Sequence, residues 1–294
     1  MRFSLRQLEV FLATARHENV TRAAADLAMS QSAASGSLRE LEEQFDVRLF
    51  DRVGKRLQLS ELGRQLRPQA ETVLAQARAF EQSLAGEQVM GRLRVGATMT
   101  IGNYLAVAMI ADFRSRYPAA EIALSVANTE TIAEQVASFE LDMGMIEGEF
   151  HHPDLETLHW RRDELVVFAA PDHPLASSSG LDDKALLSLP WILRERGSGT
   201  RQTFDRAMHG LLPDLAISME LQHTEAIKRA VEAGLGVGCL SRISLLEAFK
   251  RGSLVPLQVP GRDFSRELYL ITHRKKFQGA ALKHWLQLCR ESSD

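Results

Sequence analysis

The stretch at residues 30–45, SQSAASGSLRELEEQF, has two unlike sides. Ala34, Leu38, Leu41 and Phe45 step by four, three and four residues, so they fall on one face of a helix. Gln31, Ser32, Ser35, Gly36 and Arg39 fall on the opposite face. Gly36 costs such a helix about 1 kcal/mol relative to alanine, and the serines compete for backbone hydrogen bonds. A helix this weak by propensity needs neighbours on its apolar side. Its small outer side lets it lie close against another surface, and Ser30 supplies an N-cap.

The preceding residues provide the neighbours. Leu5, Leu8, Phe11, Leu12 and Ala15 recur at helical spacing. Thr21 is expected to cap a second, short helix over 21–28 whose apolar face is Ala24, Leu27 and Ala28, with a break at Met29. Two helices across a three- or four-residue break, the second short-chained outside, suggest a helix-turn-helix. Small residues allow entry into the major groove, where Gln31, Ser32 and Ser35 reach base edges. The positive end of the helix suits phosphate. On periodicity alone, a small bundle with a polar surface remains the alternative.

The segment RLFDRVGKRLQLS reads as strands at 49–52 and 56–59, joined through Val53, Gly54 and Lys55, which is the winged form of the motif. Residues 1–65 hold 10 basic and 9 acidic residues, so positive charge concentrates at this wing, where Arg48, Arg52, Lys55 and Arg56 face a single Asp51. Such a cluster contacts phosphates and sets register without reading sequence. The candidate DNA-binding residues are therefore Gln31, Ser32, Ser35, Arg39, Arg52, Lys55 and Arg56.

Residues 5–63 resemble the DNA-binding region of LysR-type transcriptional regulators. The resemblance rests on Leu8, Phe11, Ala23, Ala24, Leu27, Ser30, Gln31, Ala33, Ser35, Leu38, Leu41, Glu42, Leu49, Phe50, Arg52, Leu59 and Gly63. Ser32 stands where that family commonly has proline, and Gly36 where it commonly has a long polar or basic side chain. The resemblance implies a multi-domain chain: an N-terminal all-α winged helix-turn-helix, a long linker helix, and a C-terminal two-lobed α/β domain of the periplasmic-binding-protein type. The expected boundaries are 1–60, 61–90 and 91–294, with lobe I at about 91–162 and 267–294 and lobe II at about 163–266.

Beyond the wing, a long helix is expected from Ser60 to about Glu87. Leu66, Ala70, Val73, Ala77, Phe80 and Leu84 alternate steps of four and three, a heptad seam that calls for a partner helix. Packing against its own domain is the alternative, and Pro68 removes one backbone donor. The resemblance implies pairing of linker helices, hence a dimer or tetramer on a pseudo-palindromic site.

From residue 92 onward strand-like and helix-like segments alternate, as in α/β domains. Two strand-to-helix junctions suit anions: Thr98, Thr100, Ile101 and Gly102 at one, and Ser198, Gly199 and Thr200 beside Arg194 at the other. Alone, each is more often an ordinary capped turn, but two at equivalent places in two lobes favour a binding cleft. The family resemblance implies an effector pocket at these segments and adds Glu147 and Thr224. Thr129 is expected to cap the helix that follows it.

Composition excludes the broader alternatives. Among 294 residues, 35 basic and 38 acidic side chains give no global nucleic-acid or membrane signal. Cys239 and Cys289 are too few for a disulfide framework, as expected in a reducing cytoplasm. No apolar run approaches the roughly 18 residues of a membrane span, and no secretory signal is visible. GLGVGCLS lies between a helix and a strand, the wrong order for a dinucleotide loop. His151, His152 and His159 lack a compact set of metal-ligating partners. No catalytic constellation, metal or cofactor is expected. The reading is a cytoplasmic transcription factor that binds promoter DNA, self-associates, and responds to a small effector, with an anion favoured and RNA polymerase a further expected partner. The rivals are an α/β solute-binding protein or enzyme with an unrelated helical appendage, and a DNA-binding protein with a vestigial cleft.

Overall fold

A computed structural model describes residues 2–53, 56–84, 91–148 and 150–292, in two units. In the first, α1 (Leu5–His17) opens on a capping box in which the Gln7 amide donates to Ser4 Oγ and the Ser4 amide to Gln7 Oε1. Helix α2 (Val20–Asp26) is capped by Asn19, whose Oδ1 accepts from the Arg22 amide at 3.1 Å. Thr21, the expected cap, lies inside the first turn, because Asn19 is at least as good a cap and stands in the extended backbone that capping needs. Helix α3 (Gln31–Phe45) starts at Ser30, as its spacing requires.

Phe11, Ala24, Ala34, Leu38 and Leu41 share one core with Leu49 and Phe50 of the wing and with Ala70 and Leu74 of α4 (Glu61–Leu84). Phe45 departs from the expected buried stripe: at the last position of α3 it is exposed, packing on Phe3 with Arg2 over its ring at 4.7 Å. The wing is the antiparallel pair β1 (Phe50–Val53) and β2 (Arg56–Leu59), registered Phe50 to Leu59. Glu42 Oε1 ties it to α3 by accepting the Leu49 and Phe50 amides. Gly63 seats the start of α4 on this wing, since a Cβ there would lie 2.2 Å from the Leu49 carbonyl oxygen.

The stripe on α4 divides. Ala70 is buried and Leu66 partly so against the winged helix, whereas Val73, Phe80 and Leu84 are exposed. The expected continuation toward Glu87 falls at residues 85–90, outside the described residues.

The second unit carries one nine-stranded sheet in two lobes. Lobe I contains β3 (Arg92–Thr98), α5 (Met99–Ile101), a π-helical stretch at Gly102–Ala106, α6 (Val107–Arg116), β4 (Glu121–Ala127), α7 (Thr129–Ala137) and β5 (Met143–Glu147). Next comes β6 (Leu155–Ala169), which leads into lobe II: α8 (Asp183–Ser188), β7 (Trp191–Arg194), α9 (Gly199–Ala207), β8 (Ile217–Leu221), α10 (Thr224–Glu232), β9 (Val237–Ser241), α11 (Arg242–Arg251) and β10 (Val255–Leu257). The chain returns through β11 (Ser265–His273) to α12 (Ala280–Glu291). Strand β3 pairs in parallel with β4 and β5, and β7 with β8 and β9. Antiparallel β6 and β11 cross between the lobes, so each lobe is a parallel set beside a shared two-stranded bridge.

Separate apolar cores fill the lobes. Phe113 and Trp285 anchor one face of lobe I, and Trp191 and Phe204 lie together in lobe II. The spacing does not indicate the first half of β6, where LETLHWRRD buries only Leu155, Trp160 and Asp163 among exposed and half-exposed, mostly polar positions.

Candidate functional site

On the winged-helix unit, Gln31, Ser32, Ser35 and Arg39 are exposed on α3. Ser32 Oγ lies 3.1 Å from Ser30 Oγ, and Arg39 Nε lies 3.6 Å from Glu43. A Cβ at Gly36 would meet nothing within 4 Å, so that face is open as well as small. Arg52 is exposed on β1; Arg56 lies on β2, with its side chain outside the described part, as are Gly54 and Lys55.

In the second unit the two helix starts meet. Thr100 enters from α5 and Thr200 from α9, both buried, on either side of the Glu147 carboxylate at the end of β5. The Thr100 amide donates to Glu147 Oε1 at 3.0 Å, and the Thr200 hydroxyl donates to Oε2 at 3.0 Å. Arg266 completes the centre from β11. Its Nη1 donates to Glu147 Oε2 (2.7 Å) and Thr200 Oγ1 (2.9 Å), its Nη2 to Thr100 Oγ1 (3.3 Å), and its Nε to Asp163 Oδ2 (2.7 Å). The second oxygen of Asp163 accepts from the Ser241 hydroxyl at 2.9 Å.

Glu147 and Arg266 are each 1% exposed in their side chains, so only pairing keeps both charged. Burial alone would raise the Glu147 carboxyl. The Arg266 charge, the Thr100 and Thr98 contacts and the nearby Arg194 outweigh it and hold the group at about 2. Burial would lower the Arg266 guanidinium, but Glu147 and Asp163 raise it.

The remaining expected residues take different places. Ile101 is wholly buried in the lobe I core, a packing position. Gly102 opens the π-helical stretch, and Thr98 is buried at the end of β3. Arg194 is buried but bonds through Nε and Nη2 to its neighbour Glu195, reaching Glu147 only through its charge. Ser198 is the N-cap residue of α9 without a side-chain cap bond. Gly199 lies against the Glu147 backbone, where a Cβ would come within 2.0 Å of the carbonyl oxygen. Thr224 is buried at the start of α10, and its hydroxyl has no partner among the described residues.

Thr129 does not cap α7; Asn128 does, which frees the Thr129 hydroxyl to donate to the Glu147 carbonyl at 3.0 Å. Arg266, Asp163 and Ser241 are the residues that sequence reasoning missed. A signal existed for Arg266: it shares the inward period-two face of β11 with Leu268 and Leu270. A buried arginine there requires buried carboxylates.

A winged helix-turn-helix on a long helix, followed by two α/β lobes closing on a polar centre, defines a one-component DNA-binding regulator. Comparisons with known proteins agree. The chain matches the lysR-family bacterial regulatory helix-turn-helix model over residues 5–64 and the LysR substrate binding domain model over residues 86–294. It belongs to the LysR family of transcriptional regulators, and is a regulator rather than an enzyme.

Among its relatives is the uncharacterized HTH-type transcriptional regulator YeiE of Escherichia coli, 44% identical over 98% of both chains. A full-length OxyR variant of Pseudomonas aeruginosa shares the fold, with a TM-score of 0.76 at 22% identity over 99% of this chain and 95% of that one. The regulatory domain of Synechocystis CcmR, solved in complex with 2-PG, gives 0.64 at 29% identity over 69% of this chain and 98% of that one. No helix among the described residues is long and apolar enough to cross a membrane.

Proposed function

We propose that this regulator binds promoter DNA as a dimer or tetramer in the cytoplasm and responds to a small anion bound between its lobes. One observation carries the effector reading: two helix starts, Thr100 and Thr200, converge with Arg266 on a single buried carboxylate. Donors that hold a carboxylate in a dry site can hold a ligand's oxyanion. The ligand and Glu147 then compete for the same donors, so binding favours a different lobe arrangement from the ligand-free one, as allosteric control requires. Relatedness to CcmR, solved with 2-PG, supports an anion.

At the other end, Gln31, Ser32 and Ser35 read base edges while Arg39, Arg52, Lys55 and Arg56 hold phosphates. The exposed half-stripe of α4 pairs with a second copy. Contact with RNA polymerase follows from action at a promoter.

The test is a thermal-shift screen of the full-length protein with sulfate, phosphate, formate, acetate, 2-PG and shikimate. At least one anion is expected to raise Tm by several degrees and to alter the promoter footprint. In the Thr100→Val/Thr200→Val double variant that shift disappears while DNA affinity stays at the wild-type value. A full ligand response in the double variant rejects the site.

A further inference from the structure

A second polar bridge spans the lobes away from the Glu147 centre. Tyr104 projects from the π-helical stretch of lobe I, between Ile101 and Ala106, whose side chains are wholly buried in the lobe I core. Its hydroxyl donates to Glu225 Oε1 on α10 of lobe II at 3.0 Å. Lys228, one turn further along α10, donates to the Tyr104 hydroxyl oxygen at 3.3 Å and to the Ser244 carbonyl at 3.2 Å, and also pairs with Glu225. Local π geometry inside a helix often marks a functional position. Here it aims one side chain across the cleft.

The two sides of this bridge are unequal. Lys228 is buried, yet its charge is met inside lobe II by Glu225 and Ser244. Among the described residues Tyr104 is the single group lobe I contributes to it, and removing Tyr104 leaves no buried charge uncompensated. The contact can therefore break and re-form at the cost of hydrogen bonds to charged groups, without the larger penalty of an orphaned ion. Thr100, Glu147, Thr200 and Arg266 are all buried, so a ligand reaches them only when the lobes part. We propose that Tyr104, Glu225 and Lys228 form a reversible latch that sets how often the cleft opens, whatever the effector is.

Hydrogen exchange of the full-length, ligand-free protein tests this. The amides of Gly199, Thr200 and Arg201 begin α9 and have no helical partner. They are buried where Gly199 meets the Glu147 backbone, so lobe parting exposes them. Tyr104→Phe is expected to speed their exchange about tenfold, and Glu225→Gln to speed it in the same direction. The lobe-core amides of Val166, Val167 and Phe168 should keep their wild-type rates. Arg229→Ala, which removes an exposed pair with Glu232, is the control expected to change nothing. Wild-type exchange at 199–201 in Tyr104→Phe overturns the latch. So does equal acceleration of the core strands, which would mean general loosening. Neither result bears on whether the cradle binds an anion.

Discussion

Glu147 carries two loads: it closes the donors of both helix starts and it neutralises Arg266. Its depressed pKa has a sign that can be tested. The folded group titrates at about 2, against an ordinary value of 4.5, so it contributes stability that is fully present above about pH 5 and is lost as pH falls toward about 2. Glu147→Gln removes that contribution. The melting temperature of the wild type should exceed that of the variant at neutral pH, and the gap should shrink steadily on acidification; a gap independent of pH would show that ionised Glu147 is not stabilising. The sequence marked Thr100 and Thr200 because strand-to-helix junctions are local features, whereas Glu147 came in only through the family resemblance. Arg266 and Asp163 are partners from distant segments, 103 positions apart, and neither propensity nor spacing reports a contact of that range.

Helix α4 shows how far periodicity reaches. Its steps of four and three gave one continuous seam, yet the structure uses the stripe twice: Leu66 and Ala70, joined by Leu74 from beside the stripe, serve the winged helix, while Val73, Phe80 and Leu84 stay open to water. A repeat specifies that a face will be covered, not what covers it. Phe80→Glu should weaken self-association at least tenfold in sedimentation equilibrium, since a buried phenylalanine contributes roughly 2 kcal/mol, while helical content holds. Unchanged association would assign the seam another role. Caps were the other weak point, because Asn19 and Asn128 displaced Thr21 and Thr129 by residues too close for sequence to separate. The parallel strands β3, β4, β7 and β9 were legible as short, apolar-rich segments alternating with helix-like ones. The long bridging strand β6 was half hidden by its charged outer face.

The net charge of −3 conceals a local positive wing, so salt dependence is the measurement that isolates it. Arg52→Ala should weaken binding to all DNA sequences alike and flatten the slope of log affinity against log salt by about 1; an unaltered slope removes Arg52 from the phosphate contacts. How such contacts could be regulated returns to Gly63, which lets α4 sit flush on the Leu49 carbonyl. That joint has no slack. At about 1.5 Å per residue, the 24 residues of α4 make a rod roughly 36 Å long. Swinging such a rod by about 10° carries its tip roughly 6 Å, nearly two base-pair steps at about 3.4 Å each. In a dimer paired through α4, as proposed above, a close joint at this one glycine would turn a small angle between the rods into a change of half-site spacing, and a looser joint would absorb the motion before DNA felt it.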